Sequence, residues 1–242
     1  MNVLREYNKY VLKHCYSFTK EQDLATPLLV SSSQEYLNGL NRKILYIGQE
    51  TNGWLNYSDK NFMPEVEEVE QGYLRFLDER GANNKDFWMF IRKCLEISKE
   101  ELSNNIIWNN TIIASKRVGL GHPVMTDELR QTSVDYLTYL RNYFKPEYTI
   151  FVNGPCNPYY SMTTELLETF DSSLVGDYPT KSNPVLIDDQ KGIIWTYHPN
   201  YLNKSHLKDE VIQKIIENTD FKDRLTLDKE YIKNRSMLLD TK

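Results

Sequence analysis

The sequence predicts an α/β fold with three layers, α/β/α, in which a mainly parallel central sheet lies between helices. Three short apolar runs, residues 43–48, 106–108 and 148–152, have the length of buried strands and lack the alternation of half-exposed ones. Stretches with apolar residues at helical spacing separate these runs. Strands that alternate with helices of ten or more residues form parallel sheets, because a parallel connection needs a crossover of that length.

The first half of the chain supplies one strand and several helices. Apolar residues at helical spacing in the first twelve positions predict an opening amphipathic helix. Residues 27–40 are polar and contain serines, which predicts a surface connection with a short helix. The strand KILYIG follows over residues 43–48. Two helices are predicted after it, over residues 64–80, where a proline suits the first turn, and over residues 85–102.

The second half continues the alternation. Its predicted elements are a strand from Ile106 to Asn110, a helix from Thr126 or Asp127 that Lys145 and Pro146 end, a strand over residues 148–152 and a helix around residues 163–170. A hairpin or an edge connection is predicted at residues 189–192, and a last helix over residues 208–219 precedes a charged tail. We expect all of this, residues 1–242, to form a single domain.

The cysteines predict neither disulfides nor a metal site. Cys15, Cys94 and Cys156 are odd in number, far apart and without metal-ligand spacing. They are typical of reduced, buried thiols in a cytoplasmic protein. A chain of 242 residues buries enough apolar surface to fold without such crosslinks. We therefore expect no metal and no cofactor.

Charge and hydropathy limit the partners of the protein. The net charge of −5 gives no global attraction to nucleic acid, although it is compatible with a local basic groove. The first eighteen residues mix charged and apolar side chains, so they predict neither a signal peptide nor a membrane span. We expect a cytoplasmic protein that does not associate with membranes.

Polar residues follow three of the predicted strands, at the edge where parallel sheets bind ligands. Glu50 follows the first strand and offers a carboxylate that can orient or deprotonate water. Asn109 and Asn110 end the second strand, and an amide there can contact a base edge as donor and acceptor. His198 follows the last strand and can donate to a developing negative charge. Taken alone, Glu50 and His198 are more typical of a solvated turn, and the two asparagines are equally typical of a strand-end turn. His122, in a loop far from any strand end, is predicted to be structural or solvated.

Taken together, these segments resemble the uracil-DNA glycosylase superfamily. Gly48-Gln49-Glu50 stands where that family has GQD at the end of its first strand. An asparagine ends a middle strand in both. Residues 196–202, TYHPNYL, are similar to the family's C-terminal HPSPL or HPAYL motif, above all in its iron–sulfur-bearing thermophilic branch. The cysteine ligands of that branch are absent here, so no cluster is expected.

The resemblance implies a role for each matching residue. Glu50 matches the aspartate that positions water, and His198 matches the histidine that hydrogen-bonds the departing base. Asn110, or its neighbour Asn109, matches the asparagine that contacts the base. The base-binding set also includes Phe62, which matches a stacking phenylalanine, and Gln49, which offers its backbone. The residues that match the DNA-binding segment are Tyr201, Leu202 and Lys204. The implied partner is DNA that contains uracil or a damaged base, flipped out of the helix.

The first motif departs from the family pattern. Thr51 replaces its proline, and Asn52 stands where the family has tyrosine or glycine. Glu50 is one methylene longer than aspartate. Trp54, in the same loop, is a further aromatic residue that is predicted to line a pocket.

Two other functions are consistent with the same sequence. The first is a non-catalytic module that binds a nucleotide, a nucleic acid or a protein at the same edge; the negative charge and the altered first motif favour it. The second is an unrelated hydrolase on a similar sheet. It has no recognisable nucleophile, because the chain contains no GxSxG and its cysteines have no histidine partner in sequence.

Overall fold

A computed structural model describes residues 2–50, 54–55, 62–81, 85–119 and 121–219. These residues form eight α-helices: α1 Val3–Glu21, α2 Gln34–Gly39, α3 Val66–Gly81, α4 Asp86–Leu95, α5 Asp127–Phe144, α6 Tyr159–Thr169, α7 Pro199–Lys204 and α8 Lys208–Glu217. They also form five strands: β1 Ile44–Gly48, β2 Ile106–Asn110, β3 Tyr148–Phe151, β4 Val185–Asp188 and β5 Ile193–Thr196. The alternation predicted from the sequence is confirmed.

The strands form one sheet in the order β2-β1-β3-β5-β4. Neighbours are parallel except at one end, where β4 and β5 form the predicted antiparallel hairpin. Gly48 lies beside Asn110, and Phe151 lies between Ile47 and Trp195. The carboxyl ends of β1, β2, β3 and β5 therefore meet at one edge of the sheet.

Helices cover both faces of the sheet. Trp195 stacks on Tyr160 of α6, on the face that α1 and α5 also cover. Side chains alternate along a strand, so Tyr46 and Trp108 point to the opposite face. There they contact Trp88 of α4, and α4 packs on α7 and α8. The three-layer α/β/α fold follows, with the buried strands as the centre of the core.

The ends of the helices depend on local hydrogen bonds. Thr126 caps α5, because its hydroxyl accepts from the backbone N–H of Leu129, as predicted. The helix predicted over residues 85–102 ends earlier, at Leu95, because Glu96 adopts a left-handed conformation (φ +52°). The Glu101 carboxylate then accepts from the backbone N–H of Ser98 at 2.8 Å, which favours a turn there.

The segment over residues 27–40 differs from its prediction in one respect. It contains the expected short helix, α2, but residues 28–32 are buried and do not form a surface connection. Their polar groups are satisfied inside the protein: Ser32 donates to the Glu70 carboxylate (2.8 Å), and Asn8 donates both to Glu70 and to the Val30 carbonyl (2.8 Å each). Serines in a sequence do not reveal such partners.

Among the described residues, no helix combines the length and the apolar character needed to span a bilayer.

Candidate functional site at the carboxyl edge of the sheet

Asn110 and Gly48 end two neighbouring strands, side by side. A Cβ atom on residue 48 would lie 2.5 Å from Asn110 Oδ1 and 3.0 Å from the ring of Phe87. Glycine is therefore needed here for space, because the Asn110 amide and the Phe87 ring occupy the volume of a side chain. Both groups lie on the α4 side of the sheet.

His198 lies next to Phe87. Its ring stacks on Phe87 with a centroid distance of 5.8 Å and an interplanar angle of 26°. His198 also caps α7, because Nδ1 accepts from the backbone N–H of Asn200 at 3.2 Å. An imidazole that accepts at Nδ1 carries its proton on Nε2, so the neutral ring keeps a donor.

Burial keeps His198 uncharged. It lowers the pKa of the imidazole from 6.5 to about 4, and the nearby Asp86 carboxylate only partly opposes this shift. The negative charge of Asp86 is balanced by Lys208, because the carboxylate accepts from Lys208 Nζ at 2.9 Å. The same carboxylate also accepts from Asn203 Nδ2 at 3.0 Å. At neutral pH, His198 is thus a hydrogen-bond donor without a charge.

Glu50 lies just beyond β1, and the Tyr159 hydroxyl donates a hydrogen bond to its carboxylate. Tyr159 is the first residue of α6 and is buried. Burial and the Glu50 carboxylate raise the pKa of Tyr159, so the phenol stays protonated and remains a donor. The edge of the His122 ring meets Tyr159 at a centroid distance of 6.1 Å. The expectation that His122 lies far from any strand end is wrong, because its loop returns to this edge.

Asn153 connects the strand ends to one another. Its Nδ2 donates to the hydroxyls of Thr111 and Thr163, at 2.7 Å each, and its Oδ1 accepts from Trp195 Nε1 at 3.0 Å. Its backbone carbonyl accepts from the Gln49 side chain at 2.9 Å. Asn153 is fully buried, so these bonds form in a low-dielectric environment. This network holds the segments after β1, β2 and β3 in fixed positions.

The edge thus carries two groups of residues. On the α4 side, Phe87 stacks on His198, and the buried Asn110 amide lies beside Gly48. Glu50 with Tyr159 lies toward α6. β3 separates β1 from β5, so the strands that lead to Glu50 and His198 are two spacings apart, or about 10 Å. An imidazole donor and a carboxylate therefore follow two strands of the same sheet edge, with β3 between those strands.

Three predicted residues have other positions. Asn109 is fully buried on the opposite face from Asn110, where it donates to the Leu28 carbonyl at 3.3 Å, so it does not face this edge. Leu202 is also fully buried and is not exposed for DNA contact. Trp54 packs in the core against Phe76 and Trp108 and donates to the Pro27 carbonyl, so it does not line a pocket here.

The remaining predicted residues differ in their exposure and in the groups that they contact. The side chain of Gln49 donates to the Asn153 carbonyl, just after β3, and the backbone carbonyl of Gln49 accepts from the Ile112 N–H at 3.1 Å. Phe62 precedes α3 and its side chain is 47% exposed. Tyr201 stacks on Tyr197 at 4.6 Å, and Lys204 is exposed at the end of α7. Thr51 and Asn52 lie outside the described residues.

Sequence reasoning missed Phe87, Tyr159 and Asn153. Phe87 lies in the helix predicted over residues 85–102, and helical spacing does not show that its ring reaches a strand end. Asn153 directly follows a predicted strand, as Asn110 and His198 also end or follow one, so its position was a usable signal. Tyr159 carried no comparable signal, because it lies several residues beyond a turn.

The cysteines are only partly as predicted. Cys15 and Cys94 are buried, and burial raises the pKa of both thiols. Cys156 is exposed in the loop between β3 and α6, so the prediction of a buried thiol is wrong there. In the described part of the chain, no three His, Cys, Asp or Glu side chains are close enough together to hold a metal ion.

Gly48→Ala should disturb this edge directly. The added methyl would meet Asn110 Oδ1 and Phe87, and both must move to relieve the overlap. We expect a loss of about 1–3 kcal/mol in the free energy of unfolding, measured by urea denaturation. Gly39→Ala is the matched control, because its Cβ would meet only Asn104 Oδ1 at 3.6 Å, an ordinary contact. Equal stabilities of the two variants would show that the space beside Gly48 is open.

His198 should make folding sensitive to acid. Because its folded pKa is about 4 and its ordinary value is 6.5, the unfolded chain binds the proton first as the pH falls. The neutral imidazole makes its full contribution to the free energy of unfolding above about pH 6.5. As the pH falls toward 4, this contribution is lost, and the free energy of unfolding decreases by up to about 3 kcal/mol. Urea denaturation of wild type and His198→Gln at about pH 7.5 and about pH 4.5 tests this. A stability difference that does not change between these pH values would contradict a buried, neutral imidazole.

No family model matches the chain, and a search of curated proteins also gave no match.

Proposed function

We propose that the protein is a DNA glycosylase that hydrolyses the N-glycosidic bond of uracil or a related damaged base. One observation carries the proposal: an uncharged imidazole donor stacks on an aromatic ring at the edge of the sheet where a strand-end amide and a carboxylate also lie. The motif resemblance of residues 48–50 and 196–202 supports the same function.

The α4 side of the edge suits a flipped base. The Phe87 ring offers a surface on which a planar base can stack. The Asn110 amide has both a donor and an acceptor, as the edge of a pyrimidine requires. His198 Nε2–H can donate to a base oxygen without bringing a positive charge that would need its own counterion.

The proposed reaction uses both groups of residues. The bond between C1′ of the sugar and the base nitrogen breaks, and its electron pair leaves with the base. His198 stabilises the negative charge that develops on the base oxygen. Glu50 orients a water and accepts its proton while the water oxygen bonds to C1′. The carboxylate also stabilises the cationic character of the sugar, and Tyr159 fixes its position.

The test is release of free base from oligonucleotides with uracil, hypoxanthine, xanthine or oxidised pyrimidines, in single- and double-stranded form. We expect release of uracil from single-stranded DNA, and its loss in His198→Asn. His206→Asn is the matched control, because His206 is exposed beyond α7 and lies outside the proposed site. Wild-type protein that releases no base from any substrate would refute the catalytic proposal.

A non-catalytic binding module is the second candidate. The hydrogen bond from Tyr159 to Glu50 favours it, because a carboxylate held by a phenol is less available to activate water. The net charge of −5 also favours a non-catalytic module, because it gives no global attraction to the DNA that a glycosylase binds. Titration with free uracil and with short single-stranded DNA separates the candidates, since saturable binding without base release supports only the module.

A further inference from the structure

A cavity of about 220 Å³ lies between α1 and α5, apart from the residues of the candidate site. Its lining combines aromatic rings with carboxylates, and the side chains that matter are Tyr7, Tyr10, His14, Glu128, Gln131 and Asp135.

Aromatic rings form one side of this cavity. The rings of Tyr10 and Tyr7 are nearly parallel, with centroids 6.0 Å apart, and Tyr7 stacks in turn on Tyr139 at 3.8 Å. His14 is parallel to Tyr10, also with a centroid distance of 6.0 Å. Tyr10 is 61% exposed, so its ring is accessible to a ligand in solution.

Negative charge forms the other side. Glu128 and Asp135 are two turns apart on α5, and both line the cavity. Gln131, between them, donates to Asp135 Oδ1 at 2.9 Å and so holds that carboxylate in place. Burial and the charge of Asp135 raise the pKa of Tyr7 to about 12, so its phenol remains neutral. His14 Nε2 is 4.0 Å from Glu128 Oε1.

We propose that this cavity binds an organic cation, a guanidinium or alkylammonium group on an apolar stem. Tyrosine faces attract cations through the ring quadrupole, and a planar guanidinium stacks on them especially well. Two carboxylates add charge and accept hydrogen bonds from such a group. The same carboxylates repel phosphate, so the cavity is not an extension of a DNA-binding surface.

Calorimetric titration of the full chain with butylguanidinium, butylammonium and neutral butylurea tests the proposal. We expect saturable, millimolar binding of the two cations and none of butylurea. The double variant Glu128→Gln/Asp135→Asn should weaken cation binding by about tenfold or more, and Tyr10→Leu by several-fold. All three residues are exposed, so these variants should fold. Glu168→Gln, which removes an exposed carboxylate on α6, is the control and should bind as wild type does.

A second titration distinguishes the source of the cation. A short peptide with one arginine, compared with the same peptide carrying citrulline, should bind more tightly than butylguanidinium if the natural ligand is a protein side chain. Equal affinities would indicate a small cation. The absence of saturable binding for every cation, or unchanged binding in the double variant, would overturn the proposal.

Discussion

Glu50→Gln should slow the release of uracil by a factor of about 10²–10⁴, the usual contribution of a general base. Glutamine keeps the shape of the side chain and can still accept from the Tyr159 hydroxyl, so the fold of the edge is preserved. It loses the charge that favours the cationic sugar and the oxygen that accepts the proton of the water. The rate is measured in single turnover with uracil-containing single-stranded DNA.

Two further variants identify the cause of that loss. Tyr159→Phe removes the hydrogen bond to Glu50 but keeps the carboxylate, so it should reduce the rate by less, about tenfold. Glu168→Gln removes a surface carboxylate on the same helix as Tyr159 and should leave the rate unchanged. If Glu50→Gln retained the wild-type rate while base release was intact, Glu50 would have no part in the chemistry.

Asn153→Leu should produce the largest loss of stability, about 3–5 kcal/mol in the free energy of unfolding. Leucine has the branched skeleton of asparagine, although its two methyl groups are larger than the amide. It leaves the Thr163 hydroxyl and Trp195 Nε1 without their partner, and Thr111 without one of its two bonds. Each buried polar group left unsatisfied costs about 1–3 kcal/mol. A loss of this size is a large part of the stability of a typical domain.

Asn105→Leu is the control for this prediction. Asn105 is also a buried amide, but its Nδ2 makes one hydrogen bond, to the Glu101 carbonyl at 2.6 Å. We expect a loss near 1 kcal/mol there. Urea denaturation of both variants gives the comparison, and equal losses would mean that Asn153 does not connect the strand ends as the structure indicates.

Much of the fold was predictable because it depends on patterns of apolar residues. The runs at residues 43–48 and 148–152 are mostly apolar and lack the alternation of half-exposed strands, which is typical of strands covered on both faces. The turn at residues 189–192 contains the glycine that a positive φ requires, so the hairpin was predictable as well. These features depend on residues that are close together in the chain, so they can be predicted from the sequence alone.

The candidate site was less predictable because its contacts are long-range. The adjacent Asn109 and Asn110 offered equivalent amides, and only the pleat of β2 decides that Asn110 lies beside Gly48 and Phe87. The motif around His198 suggested that Leu202 contacts DNA, but its position on the inner side of α7 buries it. The contacts of Tyr159 with Glu50 and His122 join segments between 37 and 109 residues apart, which no local pattern encodes.

The proposed base-binding site is tested by a crystal structure of Glu50→Gln with a single-stranded trinucleotide that contains uracil. We expect the base stacked on Phe87, with Asn110 at its polar edge, His198 Nε2 within hydrogen-bond distance of one of its oxygens, and C1′ toward residue 50. A uracil bound elsewhere on the protein, with His198 still stacked on Phe87, would contradict the proposed function.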